Sequence, residues 1–251
     1  KVHTSFFAMN LFGGKSTDEN SISIMSYNVK VFDKNHPEKR FKNLAKILDL
    51  VVRKSPDILC IQEFFTKDQG ENRNQVKVLL ERTNLNHHFY HKRLVSTRHG
   101  QSWGLAIFSL FPIVNTGVVE FENASALNGC VYADIEIENK VVRVFNIHLQ
   151  SIKLSSTDKD FIEQGGGETT SRKVAGKFKR AFQQRAAQAK AVKLAIKKSP
   201  HPVIVAGDFN DSPVSYTYRT LAKGMQDAFL KKGFGIGATY ADGIPLYLSL
   251  I

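Results

Sequence analysis

Five side chains with oxygen or nitrogen donors stand at the ends of apolar runs. Asn28 closes Ile22-Ser23-Ile24-Met25-Ser26-Tyr27, Glu63 closes Ile58-Leu59-Cys60-Ile61-Gln62, and His148 closes Val142-Arg143-Val144-Phe145-Asn146-Ile147. Asp208 and Asn210 follow Pro202-Val203-Ile204-Val205-Ala206-Gly207. A carboxylate suits a hard divalent cation, a second carboxylate orients or deprotonates water, and amides or an imidazole donate to an anionic centre. Taken singly, each residue has a plainer reading as a turn former or a structural strand end. Their joint occurrence favours chemistry, provided that the four ends meet in space, as ligand sites outside strand ends do.

The elements that must bring them together can be read from periodicity. After a polar, Gly-containing linker from Gly13 to Asn20, a strand leads to Asn28. Pro37 opens a helix in which Leu44, Ile47, Leu48 and Val51 recur at helical spacing, and Ser55-Pro56 ends it before the strand to Glu63. A second helix is predicted from Asn72 to Asn84. Short strands follow at Gly104 to Ser109, Ile113 to Val119, Gly129 to Ile137 and Val141 to Leu149, the last two joined by a hairpin turn at Asn139. Between Lys153 and Arg180 the periodicity fades into Gly165-Gly166-Gly167 and polar flanks, which predicts a long mobile loop. A helix then runs from about Arg180 to Lys198 on a narrow alanine-rich face, and Ser212 and Pro213 cap another at Val214 to Leu221. Helix-linked strands at each end and antiparallel strands between them predict an α/β architecture of two packed sheets with helices outside.

A chain of 251 residues fits one large domain, here 21–251 after a lead-in at 1–20. The formal net charge of +12 favours an anionic partner, and the ten basic residues without an acidic one from Arg172 to Lys198 localise that excess. Cys60 and Cys130 lie inside apolar runs, where buried thiols rather than a disulfide framework are expected. No run approaches the ~18 apolar residues of a membrane span. The uncharged Phe6 to Phe12 segment reads as an edge strand or as the remnant of an anchor.

Five segments in order, Ser26-Tyr27-Asn28-Val29, Asp57 to Glu63, Gly104 to Ser109, Asn146-Ile147-His148-Leu149 and Gly207-Asp208-Phe209-Asn210, resemble the endonuclease/exonuclease/phosphatase superfamily. The resemblance implies a four-layered α/β sandwich and metal-dependent phosphoester hydrolysis. It implies Mg²⁺, with Mn²⁺ as an alternative, on Glu63 with Asn28 beside it. It makes Asp208 the residue that orients or deprotonates water, Asn210 a donor to that water or to phosphate, and His148 a donor to a non-bridging oxygen. Relatives of this kind in bacteria often follow membrane segments, so an anchored domain is also implied.

Nucleic acid is the favoured substrate, with Arg98, Trp103, Lys173, Lys177, Lys179 and Arg180 as contact residues. A lipid or inositol head group on an acidic membrane surface is the alternative enzyme substrate, and a non-catalytic metal- and anion-binding module is the other. No protein partner is deducible. The segment Thr239-Tyr240 matches the family, but the chain then ends Ile244 to Ile251 without the Arg-x-Asp-Tyr strand and the Ser-Asp-His element. The expectation is therefore a sandwich lacking its C-terminal strands, with weak or no turnover.

Overall fold

Strand alternation decides which side chains share a face. In β1 (Ile24–Asn28) the odd positions present Ile24, Ser26 and Asn28, and in β2 (Ile58–Lys67) they present Ile58, Cys60 and Gln62. The corresponding sets are Val144, Asn146 and His148 in β7 (Lys140–His148), and Ile204, Ala206 and Asp208 in β8 (Val203–Asp208). A computed structural model describes residues 21–33, 40–67, 74–122, 124–164 and 168–228. In it, Ile58, Cys60 and Val144 lie in one apolar cluster with Ile24, Ile204 and Ala206 against it. Each of the four strands thus starts apolar in this cluster and turns polar at its far end.

Two four-stranded mixed sheets supply these faces. The first has the order β1-β2-β4-β3, with β3 at His87–Ser96 and β4 at Gln101–Ser109. The second has the order β5-β6-β7-β8, with β5 at Ile113–Val119 and β6 at Gly129–Ile137. Each sheet carries one parallel pair, β1 with β2 and β7 with β8, among antiparallel neighbours. Leu105, Ile107, Val131, Ala133 and Ile135 complete the core between the sheets. Each such fully buried aliphatic side chain stabilises the fold by about 1.5–3 kcal/mol.

Helices cover both outer faces. On the first sheet, α2 (Arg40–Lys54) and α3 (Gln75–Arg82) pack Leu44, Ile47, Leu48, Val51 and Leu79 on Leu59, Ile61 and Phe108. On the second, Ala189 and Val192 of α5 (Glu168–Lys197) and Leu221 of α6 (Tyr216–Ala222) pack on Phe145 and Ile147. The result is the four-layered α/β sandwich expected from the sequence. Cys60 and Cys130 are free and buried, and burial pushes the Cys60 thiol up to about 12.

Several sequence expectations are corrected. The stretch from Lys153 to Arg180 is not one long loop: α4 (Ser156–Gln164) fills part of it, and α5 begins at Glu168 rather than near Arg180. Lys, Arg and Ala are strong helix formers, and their propensity outweighs the weak apolar periodicity there. The helix after Asp208 is capped by Ser215, whose hydroxyl accepts from Tyr218 N–H, rather than by Ser212 and Pro213. Strand β3 was hidden by its His, Lys and Arg content, because it forms an edge with one wet face. The predicted turn between β6 and β7 is present, with Glu138 and Asn139 at φ 48 and 65. Thr239-Tyr240, the chain end and the lead-in 1–20 lie outside the described residues. Among the described residues no helix is long and apolar enough to cross a membrane.

Candidate active site

The polar ends of the inward faces are tied together across the sheets. Gln62 Nε2 donates to Asn146 Oδ1 at 2.7 Å and to Ser26 Oγ at 3.0 Å, so β1, β2 and β7 share one network. Asn146 Nδ2 in turn donates to Ile61 O and Ala106 O, both at 2.9 Å, which adds β4. Gln62 and Asn146 are buried. Leaving such a buried group unpaired costs about 1–3 kcal/mol, so the satisfied network fixes how the sheets meet just below the rim.

Above this network, a bulge delivers Glu63. Ile61 pairs with Ala106 and Phe64 with Gly104, so Gln62 and Glu63 together face Leu105 alone. Strict alternation from Gln62 would turn Glu63 toward the helix-covered face. The extra residue, with Glu63 at φ 52, keeps it beside Gln62 on the inward side. Its side chain remains 22% exposed, accessible to a ligand, and its Oε1 lies 3.7 Å from His148 Nε2.

His148 ends β7 and is buried. Its Nδ1 is 2.9 Å from Leu127 O, so Nδ1 carries the proton and Nε2 faces the rim beside Glu63. In register, His148 stands opposite Asp208. Gly207 makes that pairing feasible: it adopts φ 144, and a Cβ there would lie 2.1 Å from Ile147 O. The Asp208 carboxylate is held on both oxygens, Oδ2 by Asn28 Nδ2 and Oδ1 by Asn210 N–H, each at 2.9 Å. Asn28 Oδ1 accepts from Lys30 N–H at 2.9 Å through the left-handed turn α1 (Lys30–Asp33). Buried Asn210 gives one amide hydrogen to Leu149 O at 3.0 Å. Asn28, Glu63, His148, Asp208 and Asn210 therefore occupy one rim, contributed by both sheets.

Other residues support the rim without having stood out in the sequence. Asn128 donates to Leu149 O at 2.7 Å, and its neighbour Leu127 holds His148. Arg185 of α5, 1% exposed, donates from Nε to Asp211 Oδ2 and from Nη1 to Gln150 O, both at 2.9 Å. It thereby joins the segments that follow β7 and β8. The sequence signal was an arginine on the alanine stripe of α5, at i+4 from Ala181 and i−4 from Ala189. For Gln62 and Asn146 it was an amide at an inward position of an otherwise apolar strand.

The expected substrate-contact residues are spread more widely. Arg98 is on the 3-10 turn Thr97–His99 that closes β3 and β4, exposed and beyond the rim, because β2 and β4 continue as a ribbon from Phe64 to Lys67. Trp103 packs on Phe65, ring centroids 5.3 Å apart, against the core under α2 and α3. Lys173, Lys177, Lys179 and Arg180 belong to the N-terminal half of α5, with Lys177 paired to Asp158 of α4.

The rim offers hard oxygen donors, the partly exposed Glu63 carboxylate and Asn28 Oδ1. Mg²⁺ typically takes only one or two carboxylates and keeps several waters, so the residues present fit it. Among the described residues no group of three or more His, Cys, Asp or Glu stands close enough to hold a metal alone.

The model of the Endonuclease/Exonuclease/phosphatase family matches residues 25–246. The chain belongs to this family. No curated protein matches it in sequence. Among solved structures, sphingomyelinase C from Streptomyces griseocarneus is similar with TM-score 0.56 and 18% identity, over 80% of this chain and 68% of that one. Humanized D. rerio TDP2 gives 0.50 and 17%, over 82% and 68%. An endonuclease/exonuclease/phosphatase from Beutenbergia cavernae DSM 12333 gives 0.55 and 15%, over 80% of this chain and 52% of that one. At these identities the likeness is one of fold. Endonuclease/Exonuclease/phosphatase proteins are phosphoester hydrolases and commonly use divalent metals, and the chain is a member of that enzyme class.

Proposed function

We propose that this chain is a Mg²⁺-dependent phosphodiesterase acting on nucleic acid. The observation that carries the proposal is the chain of neighbours along the rim: Glu63 beside His148, His148 in register with Asp208, and Asp208 held by Asn28 and Asn210. Glu63 and Asn28 would hold the cation, which when bound would neutralise phosphate charge and act as a Lewis acid.

The protein's own groups supply the rest. Asp208, with both oxygens already fixed, presents its remaining lone pairs to a water and takes its proton as the water's oxygen bonds to phosphorus, while the scissile P–O bond breaks and the departing sugar oxygen is protonated from solvent. His148, with Nδ1–H committed to Leu127 O, turns Nε2 to the rim beside Glu63, from where a protonated Nε2 can donate to the phosphate. A cationic donor there stabilises the charge that grows on a non-bridging oxygen. The basic face of α5 and Arg98 at the ribbon tip favour a polyanion over a small phosphate ester. The likeness to sphingomyelinase C is the ground for testing a lipid head group alongside.

Product analysis on labelled single-stranded, duplex and abasic DNA, and on sphingomyelin and phosphoinositide vesicles, tests this with Mg²⁺ or EDTA. The expected result is weak Mg²⁺-dependent DNA cleavage, reduced a further ~10²- to 10⁴-fold by Asp208→Asn. Cleavage of lipid alone would overturn the substrate assignment, and cleavage undiminished in Asp208→Asn would overturn the site.

A further inference from the structure

Away from the rim, α4 and the N-terminal half of α5 line an open cleft of about 360 Å³. That volume falls in the range of small-molecule sites, about 300–1,000 Å³. Its cationic wall is one face of α5: Arg172, Lys173, Lys177 and Arg180, at i, i+1, i+5 and i+8. Among the described residues the one lining carboxylate, Asp158, is paired with Lys177 of the same wall. Lys177 and the hydroxyl and N–H of Ser155 hold the Asp158 carboxyl down at about 2. Arg172 is likewise paired with Glu168, so the wall's cations without an ion pair among the described residues are Lys173 and Arg180, and the Thr157 hydroxyl is engaged with Ser155 Oγ.

Gly176 lies in the middle of this wall, and the fold does not require a glycine there. A Cβ would meet only Arg180 Nη1, at 3.7 Å, an ordinary contact. Glycine inside a helix costs about 0.5–1 kcal/mol relative to alanine, so the sequence carries a helix penalty that keeps the pocket floor bare. A basic wall, a paired carboxylate and an open floor together describe a seat for a tetrahedral oxyanion.

We propose that this pocket binds a second phosphate of the substrate, a backbone phosphate of nucleic acid remote from the bond that is cleaved. The proposal rests on the phosphodiesterase reading and specifies its substrate. Arg185 anchors α5 at the rim through Gln150 and Asp211, and Arg180 to Gly176 lie five to nine residues further along the helix. At 1.5 Å per residue that is roughly 8–14 Å, whereas duplex phosphates recur about every 3.4 Å of axis per strand. A strand whose scissile phosphate sits at the rim therefore reaches the pocket within a few nucleotides, and a lone phosphomonoester does not span both.

Amide NMR with inorganic phosphate in EDTA tests the pocket without turnover and without the metal site. Saturable shifts at Gly176 and Lys177 are expected, with affinity at least tenfold weaker in Lys173→Ala/Arg180→Ala and in Gly176→Glu. Lys190→Ala removes the same charge on the same helix away from the pocket and should change affinity less than twofold. Gly176→Ala should bind phosphate and raise the melting temperature. Equal weakening by Lys190→Ala, or unchanged binding in Gly176→Glu, would overturn the pocket. A short oligonucleotide should shift the same amides and lose affinity in Gly176→Glu. If instead only phosphatidylserine vesicles do so, the nucleic-acid assignment is wrong and a membrane head group occupies the seat. These outcomes stand whether or not the rim hydrolyses DNA.

Discussion

The rim and the helical arm each contain a glycine, and the two show what each region is built for. At Gly207 a Cβ would sit 2.1 Å from the Ile147 carbonyl oxygen, whereas at Gly176 it would touch nothing closer than 3.7 Å. The rim is a place where the backbone itself leaves no room, because β7 and β8 must close to set His148 against Asp208. The arm is a place where room is left over and lined with charge. Geometry is fixed by packing in one region, and in the other charge is displayed on exposed side chains for a ligand to collect.

Gly207→Ala breaks the comparison at its strongest point. It should cost more than about 4 kcal/mol, leaving little folded protein by circular dichroism and urea titration. Gly207→Ala folding with near-normal stability would show that β7 and β8 do not need this approach. Arg185→Leu probes the link between the regions. It removes the guanidinium from buried Asp211 and from Gln150 O, and should cost about 3–5 kcal/mol in urea unfolding. Loss below 1 kcal/mol would mean that the arm is not anchored through this residue.

Acid titration sharpens the contrast further. Burial alone would raise the Asp134 carboxyl, but hydrogen bonds from Arg143 and Asn115 and the Arg143 charge outweigh it and hold it below the usual aspartate range. A carboxyl depressed on folding stabilises the protein at pH above its unfolded value, about 3.9, and that contribution is lost as pH falls through the folded value. The wild type should therefore lose more stability between pH 5 and pH 2.5, by roughly 1 kcal/mol, than Asp134→Asn/Arg143→Met. Parallel pH profiles for the two proteins would contradict this.

The same division explains what was legible in the sequence. Alternation in β1, β2, β7 and β8 announces both the inward faces and the polar groups that end them, since burial and period two act on every residue of a strand. Asn28, His148 and Asp208 follow from that alone. Glu63 reaches the rim by a bulge with a left-handed backbone, which no periodicity encodes, so the sequence marked it as the end of an apolar run without fixing the face it takes. Arg185 was hidden because its ion pair with Asp211 is made across a fold contact rather than along the chain. The arm was misread for a related reason: Arg172, Lys173, Lys177 and Arg180 face an open cleft instead of a core, so α5 lacks an apolar stripe where it leaves the sheet. Local charge and helix propensity, more than hydrophobic spacing, were the usable signals there.

Mn²⁺ binding, followed by electron paramagnetic resonance on wild type, Glu63→Gln, Asp208→Asn and Lys173→Ala/Arg180→Ala, tests most directly whether the rim holds one divalent cation on Glu63. One Mn²⁺ per chain is predicted, with affinity at least tenfold weaker in Glu63→Gln, weakened in Asp208→Asn, and unchanged or tighter when the arm loses its two cations. Binding that is equal in wild type and Glu63→Gln would contradict the account.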